Sequence, residues 1–131
     1  MKKLFIIIIG VTCLSCHKDQ PHHGYGSHGS PWIQTCVIQI SDSSWNYDST
    51  NHFYYTKEDM STITDNVIYN GSVDVYLGDY NSNQQMPLTE QGVWYDYYYQ
   101  LNLVEFKIGL SDGSIPSNPG YKSFVIVITQ W

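Results

Sequence analysis

The alternation of apolar and polar side chains with a period of two, from Trp32 onward, constrains the fold most strongly. One face of the segment 93–101 carries Val93, Tyr95, Tyr97, Tyr99 and Leu101, and the intervening residues form the other face. Such alternation is typical of a half-buried β-strand. The segment 104–110 alternates in the opposite phase, which predicts a turn or bulge near 101–103. The run 124–128, FVIVI, is apolar on both faces and is therefore predicted to be a central strand.

The composition strengthens the prediction of strands. The chain contains no alanine, the best helix former, whereas it contains twelve tyrosines. Segments 32–41, 52–56, 72–77, 86–88 and 121–130 are the other predicted strands, with loops over 79–85 and 111–120. We expect an all-β fold, a small antiparallel β-sandwich of immunoglobulin-like type with six or seven strands. A small barrel is the alternative architecture.

One short helix is expected within 63–71. Here apolar residues recur at helical spacing instead of alternating. Thr64 is the expected N-terminal cap, and Gly71 is the expected left-handed stop.

The N-terminal segment has the pattern of a secretory signal peptide. Lys2 and Lys3 precede an apolar stretch over 4–11, which is too short to span a bilayer core of about 30 Å as a helix. Ser15 directly before Cys16 resembles the lipobox of bacterial lipoproteins. That resemblance implies cleavage before Cys16 and attachment of a diacylglyceryl group to its thiol. The alternative is ordinary signal cleavage that leaves Cys16 unmodified.

These features predict three parts: a signal peptide over 1–15, a segment over 16–31, and a β-sandwich domain over 32–131. The middle part begins with the lipidated Cys16 and is rich in His and Gly, so we expect a flexible tether. Lys18-Asp19 loosely resembles the charged tag of surface-exported lipoproteins. The expected location is therefore the cell envelope, as an outer-membrane lipoprotein, with surface exposure left open.

A further resemblance covers roughly 32–130. The run ITDNVIYNGSVDVYLGD, preceded by FYYT and followed by MPL, VEFKI and FVIVI, resembles a domain of small lipoproteins from Bacteroidota-type bacteria. The same domain occurs in the C-terminal regions of collagen-like proteins from such bacteria. The resemblance implies the fold and the location, but no activity.

The residues Trp94, Asp96 and Tyr98 form the main candidate binding site. They share the face of their predicted strand opposite the core, where rings can stack on a sugar and an acid can accept hydroxyl hydrogens. The alternative is that Trp94 and Tyr98 pack under the loop over 79–85 or against the second sheet.

Two weaker candidates remain. His17, His22, His23 and His28 are candidate metal ligands in a metal-gathering tail, although their spacing matches no preformed site. Of the three cysteines, Cys13 leaves with the signal and Cys16 takes the lipid, so no internal disulfide is expected. Cys36 is then a small buried hydrophobic residue or, less favoured, part of an intermolecular disulfide.

The function expected from these features is a non-catalytic binding or envelope-structural module, with a glycan or a protein as its partner. No catalytic constellation and no cofactor motif is recognisable, so an enzyme is not expected. The net charge is −6 with no arginine, and the loss of Lys2 and Lys3 makes it more negative. This argues against nucleic-acid binding.

The anchor is tested by metabolic labelling. We expect radiolabelled palmitate to be incorporated into the exported chain and Cys16→Ala to abolish the label, because only the cysteine sulfur forms the thioether. A wild-type chain that stays unlabelled would remove the anchor.

Overall fold

A strand with one apolar face buries that face against a second layer of structure, which in this chain is another sheet. The computed structural model describes residues 16–19, 31–78 and 82–131. The strands are β1 (Cys16–Asp19), β2 (Trp32–Ile40), β3 (Asn46–Asp48), β4 (Phe53–Asp59), β5 (Gly71–Gly78), β6 (Asn83–Gln85), β7 (Leu88–Glu90), β8 (Val93–Gln100), β9 (Leu103–Leu110) and β10 (Lys122–Gln130). A helix, α1 (Asp65–Asn70), and a 3₁₀ turn over Asp42–Ser44 complete the secondary structure of this part of the chain.

The strands form two antiparallel sheets. Sheet A has the order β1-β2-β10-β5-β6, and sheet B has the order β3-β4-β9-β8-β7. The central strands, β2, β10 and β5 in sheet A and β4, β9 and β8 in sheet B, have seven to nine residues each. The structure thus confirms the small all-β sandwich. It also confirms that the FVIVI run is central, because β10 lies between β2 and β5.

The two sheets meet at a stacked pair of aromatic rings. Phe106 of β9 and Phe124 of β10 are fully buried, and their ring centroids lie 4.1 Å apart at an interplanar angle of 15°. Burying one such side chain contributes about 1.5–3 kcal/mol to stability. At the β8 side of the sandwich, the Tyr97 hydroxyl donates a hydrogen bond of 3.0 Å to the Val73 carbonyl in β5.

The helix begins as predicted but ends differently. Thr64 Oγ1 accepts a hydrogen bond from the Val67 N–H at 3.4 Å, which confirms the predicted cap. Gly71 is extended, with φ of −142°, so the prediction of a left-handed stop is wrong. The chain continues directly into β5 because the Gly71 backbone already pairs with Gln130 of β10.

Other boundaries also differ from the prediction. Strands β3 and β6 were not predicted, because three residues are too few to establish an alternating pattern. Strand β4 extends to Asp59 and buries Glu58, which is 8 % exposed. Burial raises the pKa of the Glu58 carboxyl. Leu101 was expected on the core face, but it is 47 % exposed because it lies in the two-residue turn that joins β8 to β9.

The start of the predicted tether is not unstructured. Cys16–Asp19 form β1, which pairs with β2, so a flexible segment does not begin at Cys16. The signal segment 1–15 and residues 20–30 lie outside the described residues. Within the described part of the chain, no helix is long and apolar enough to cross a membrane.

The expectation that the cysteines form no internal disulfide is wrong. Cys36 is disulfide-bonded and only 2 % exposed. In the register of β1 against β2, Cys16 lies directly opposite Cys36. A single sulfur cannot hold both a disulfide and a thioether, so lipidation and disulfide formation exclude each other wherever they use the same cysteine.

Candidate functional site

The side of sheet B that faces away from sheet A carries most of the candidate residues, and we call it the outer face. The inner side contributes Tyr95, Tyr97 and Tyr99 to the core, as the alternation predicts, together with Tyr54 of β4. Their strand neighbours therefore point outward. The turn over Gln91–Gly92, in which both residues have positive φ, joins β7 to β8 and fixes this register.

Trp94 lies across the backbone of Gly109 on the outer face. The two residues are partners in the register of β8 and β9. A Cβ atom on Gly109 would lie 2.4 Å from Trp94 Cζ2, 2.6 Å from Cε2 and 2.8 Å from Nε1. Three consecutive ring atoms thus occupy the space of the missing side chain. Gly109 therefore allows the indole to lie on the sheet.

Phe53 and Tyr55 of β4 continue the aromatic surface beyond Trp94. The Phe53 ring lies 5.9 Å from the Trp94 ring and 6.3 Å from the Tyr55 ring, both in edge-to-face geometry. Phe53 also pairs with Gly109, so the absent side chain lets rings from β4 and β8 meet above β9. We call Tyr55, Phe53 and Trp94 the aromatic band.

Charged side chains lie beside the aromatic band. Glu105 forms ion pairs with Lys107 at 3.6 Å and with Lys57 at 3.9 Å. The Lys107 ammonium also lies 5.6 Å from the centre of the Phe53 ring. Asp96 is the register partner of Lys107 on β8. The outer face therefore combines ring surfaces with both donors and acceptors of hydrogen bonds.

Surface grooves flank the aromatic band on two sides. The groove of about 390 Å³ at the β4 side is lined by Tyr47, Asp48, Ser49, Phe53, Tyr55, Lys57 and Glu105. The groove of about 400 Å³ at the β8 side is lined by Pro87, Leu88, Thr89, Trp94, Tyr95 and Asp96. We call them the β4 groove and the β8 groove. Hydrogen bonds from Asn51 hold the pKa of Asp48, in the β4 groove, below its ordinary value.

A third depression of about 470 Å³ lies further along β8. It is lined by Ile68, Pro87, Asp96, Tyr97, Tyr98 and Tyr99, and so shares Pro87 and Asp96 with the β8 groove. Tyr98 is 54 % exposed here. Trp94 and Tyr98 thus lie on the same face of β8, as predicted, but they line different depressions.

Asp96 also accepts a hydrogen bond from a backbone N–H at an open edge of sheet B. Strand β7 pairs only with residues 93–95, so residues 96–100 form the edge of sheet B in the described chain. The Ser111 N–H donates a hydrogen bond of 2.8 Å to the Gly92 carbonyl, so the Gly92 backbone points toward β9. Backbone groups alternate in direction along an antiparallel strand, so those of Tyr97 and Tyr99 point away from β9, toward the open edge. Asp96 Oδ1 accepts the Tyr97 N–H at 2.8 Å.

The structure therefore places the predicted binding residues on one surface but regroups them. Trp94 joins Phe53 and Tyr55, which were not among the predicted site residues. Phe53 and Tyr55 are two residues apart in a strand, which indicates a shared face. A lone glycine within a strand, such as Gly109, indicates close approach by another group.

The other predicted site residues are only partly described. His17 lies in β1 opposite Thr35, and Cys16 lies opposite Cys36. His22, His23 and His28 lie outside the described residues. Among residues 16–19, 31–78 and 82–131, no cluster of three or more His, Cys, Asp or Glu residues could hold a metal ion. The metal-gathering tail stays a prediction.

Comparisons of the chain with protein-family models, with curated proteins and with solved structures found no match. The resemblance to small lipoproteins therefore stays an expectation.

A double-mutant cycle tests the packing of Trp94 on Gly109. We expect Gly109→Ala to destabilise the protein by about 1–3 kcal/mol, because the new methyl group displaces the indole. In a Trp94→Ala background the same change should be neutral or slightly stabilising, because alanine restricts the unfolded chain more than glycine does. The free energy of unfolding in urea measures both. An equal cost in the two backgrounds would contradict this packing.

The edge role of Asp96 predicts an effect on self-association. Asp96→Ala leaves the Tyr97 N–H open to another strand, so we expect self-association to strengthen by about tenfold or more. Asp96→Asn is the matched control, since its amide oxygen can still accept the N–H while the charge is lost. Analytical ultracentrifugation compares the three proteins. Identical sedimentation of the alanine and asparagine variants would refute this role.

Proposed function

We propose that this chain is a non-catalytic binding module, anchored to the bacterial cell envelope through Cys16, which binds its ligand on the outer face of sheet B. The observation that carries the binding role is the indole of Trp94 lying across Gly109 in an aromatic band with Phe53. The lipobox-like Ser15-Cys16 carries the anchor.

The outer face suits binding because it combines ring surfaces with polar groups that can accept further hydrogen bonds. Oδ1 of Asp96 holds the Tyr97 N–H, and no hydrogen bond to Oδ2 is found among the described residues. Concave sites of this kind, in which a few polar groups converge beside apolar walls, favour ligand binding. The aromatic band provides the apolar wall, and the β4 and β8 grooves on either side of it have a mainly polar lining.

The lipid anchor requires the sulfur of Cys16, and the disulfide of Cys36 requires the sulfur of a second cysteine. Only Cys13 and Cys16 are available as partners of Cys36 within the chain, and Cys13 leaves with the signal segment when Cys16 is lipidated. The lipidated form therefore has no partner for Cys36 within the chain. If Cys16 is the partner, its sulfur takes no lipid. Palmitate labelling therefore tests the anchor independently of the outer face, and the binding role survives a negative result.

Assembly through an open strand is the competing role, and the edge of β8 bears on it. In the described chain, residues 96–100 of β8 pair with β9 on one side, but no strand pairs with them on the side of β7. However, the Asp96 carboxylate blocks one backbone donor there and adds charge, which are the devices that proteins use to prevent edge pairing. This arrangement favours a binding module over an assembly module.

The binding face is tested with isolated envelopes from the bacterium that produces the protein. A chain of residues 16–131, made without the signal segment and therefore not acylated, should co-sediment with the envelopes. Trp94→Ala and Phe53→Ala should each weaken this retention by about tenfold, the effect of removing an interface anchor. Tyr69→Ala is the control, since Tyr69 lies on α1 and is 80 % exposed. Equal retention of all four proteins would contradict the assignment of the face.

A further inference from the structure

We infer that the ligand of the outer face is a neutral, linear polysaccharide that crosses the strands of sheet B from the β4 groove to the β8 groove. This inference rests on the proposed binding function and adds the class of ligand and its direction. Three observations carry it: the aromatic rings, the charged groups beside them, and the grooves at the two ends.

The rings of Phe53 and Trp94 lie in a row that runs across the strands, and Tyr55 lies beside this row, two residues from Phe53 along β4. Phe53, Gly109 and Trp94 are register partners on β4, β9 and β8. The β4 groove extends this row to Asp48 of β3, and the β8 groove extends it to Thr89 of β7. Five strands at about 4.8 Å spacing give a path of roughly 20 Å. A path of this length suits a chain of several sugar units better than a single sugar.

The chemistry along this path matches a saccharide. Sugar rings have apolar C–H faces that can lie on aromatic rings, and hydroxyl groups at their edges that exchange hydrogen bonds. Lys57, Glu105 and Lys107 supply donors and acceptors immediately beside the aromatic band. A protein partner would instead favour a patch whose centre lacks charged groups.

The charge of the surface favours a neutral ligand. The acids Asp48, Asp96 and Glu105 outnumber the lysines Lys57 and Lys107 on and beside the path. The whole chain is also acidic, at −6. A polyanion would therefore be repelled, whereas a neutral chain of hydroxyl-bearing sugars meets no such barrier.

The first experiment uses the chain of residues 16–131 with soluble probes. Xylan, mannan and a linear β-glucan are the neutral probes, and polygalacturonate is the polyanion, with binding followed by affinity electrophoresis. We expect retardation by at least one neutral polymer and none by polygalacturonate. Equal or stronger binding of polygalacturonate, or no binding of any neutral polymer, would overturn the inference.

The second experiment tests the path by calorimetry with oligosaccharides of the polymer that binds, from disaccharide to octasaccharide. Affinity should rise with length until the path is filled. Trp94→Ala at one end and Tyr55→Ala at the other should each weaken octasaccharide binding by about tenfold. Tyr69→Ala is again the control, and unchanged thermal melting verifies the fold of each variant. If a variant fails to fold, Lys57→Gln or Thr89→Ala replaces it at the same end. Affinity independent of length, or sensitive to one end only, would refute the path.

A third measurement separates the two proposals. Periodate cleaves the vicinal diols of sugars, so treated envelopes should lose their capacity to retain the wild-type chain. If treated envelopes retain it through Trp94 and Phe53 as before and no neutral polymer binds in the first experiment, the ligand is not a saccharide and this inference fails, while the binding function stands. If untreated envelopes do not retain it, the binding function itself fails.

Discussion

The stacking of Phe106 on Phe124 is the contact on which the rest of the structure depends. It joins the middle strand of sheet B to the middle strand of sheet A, and both rings are fully buried. Because side chains alternate along a strand, placing Phe106 in the core determines which residues of β9 point outward. Gly109 lies three positions further along, on the opposite face, where its missing side chain creates room.

The aromatic surface of the outer face results from the core position of Phe106 and from the missing side chain of Gly109. Any larger residue at Gly109 would meet the Trp94 ring, so the contact between the rings of Phe53 and Trp94 depends on a hydrogen atom in that position. The aromatic band thus belongs to three strands that are distant in sequence. Asp96 serves two purposes beside it, since one oxygen blocks the sheet edge while the side chain borders two depressions.

Much of the fold was predictable because the signal is local. The alternation in β8 and β9, the phase change at their turn, and the apolar run of β10 all follow from which face of a strand is buried. Strands β3 and β6 were missed, because a segment of three residues forms a strand only where a neighbouring strand offers its edge. The disulfide at Cys36 was missed as well, since the register of β1 against β2 is not visible in the spacing of the cysteines.

The sequence alone determined that the chain forms strands and that Trp94, Asp96 and Tyr98 share the face of β8 opposite the core. It did so because period-two patterning and the lack of alanine act residue by residue along the chain. Only the tertiary structure decided which rings became neighbours. Phe53 reaches Trp94 because β9, with Gly109 in register with both, lies between β4 and β8. Strand order depends on burial summed over the whole sandwich, and no local segment of sequence carries that information.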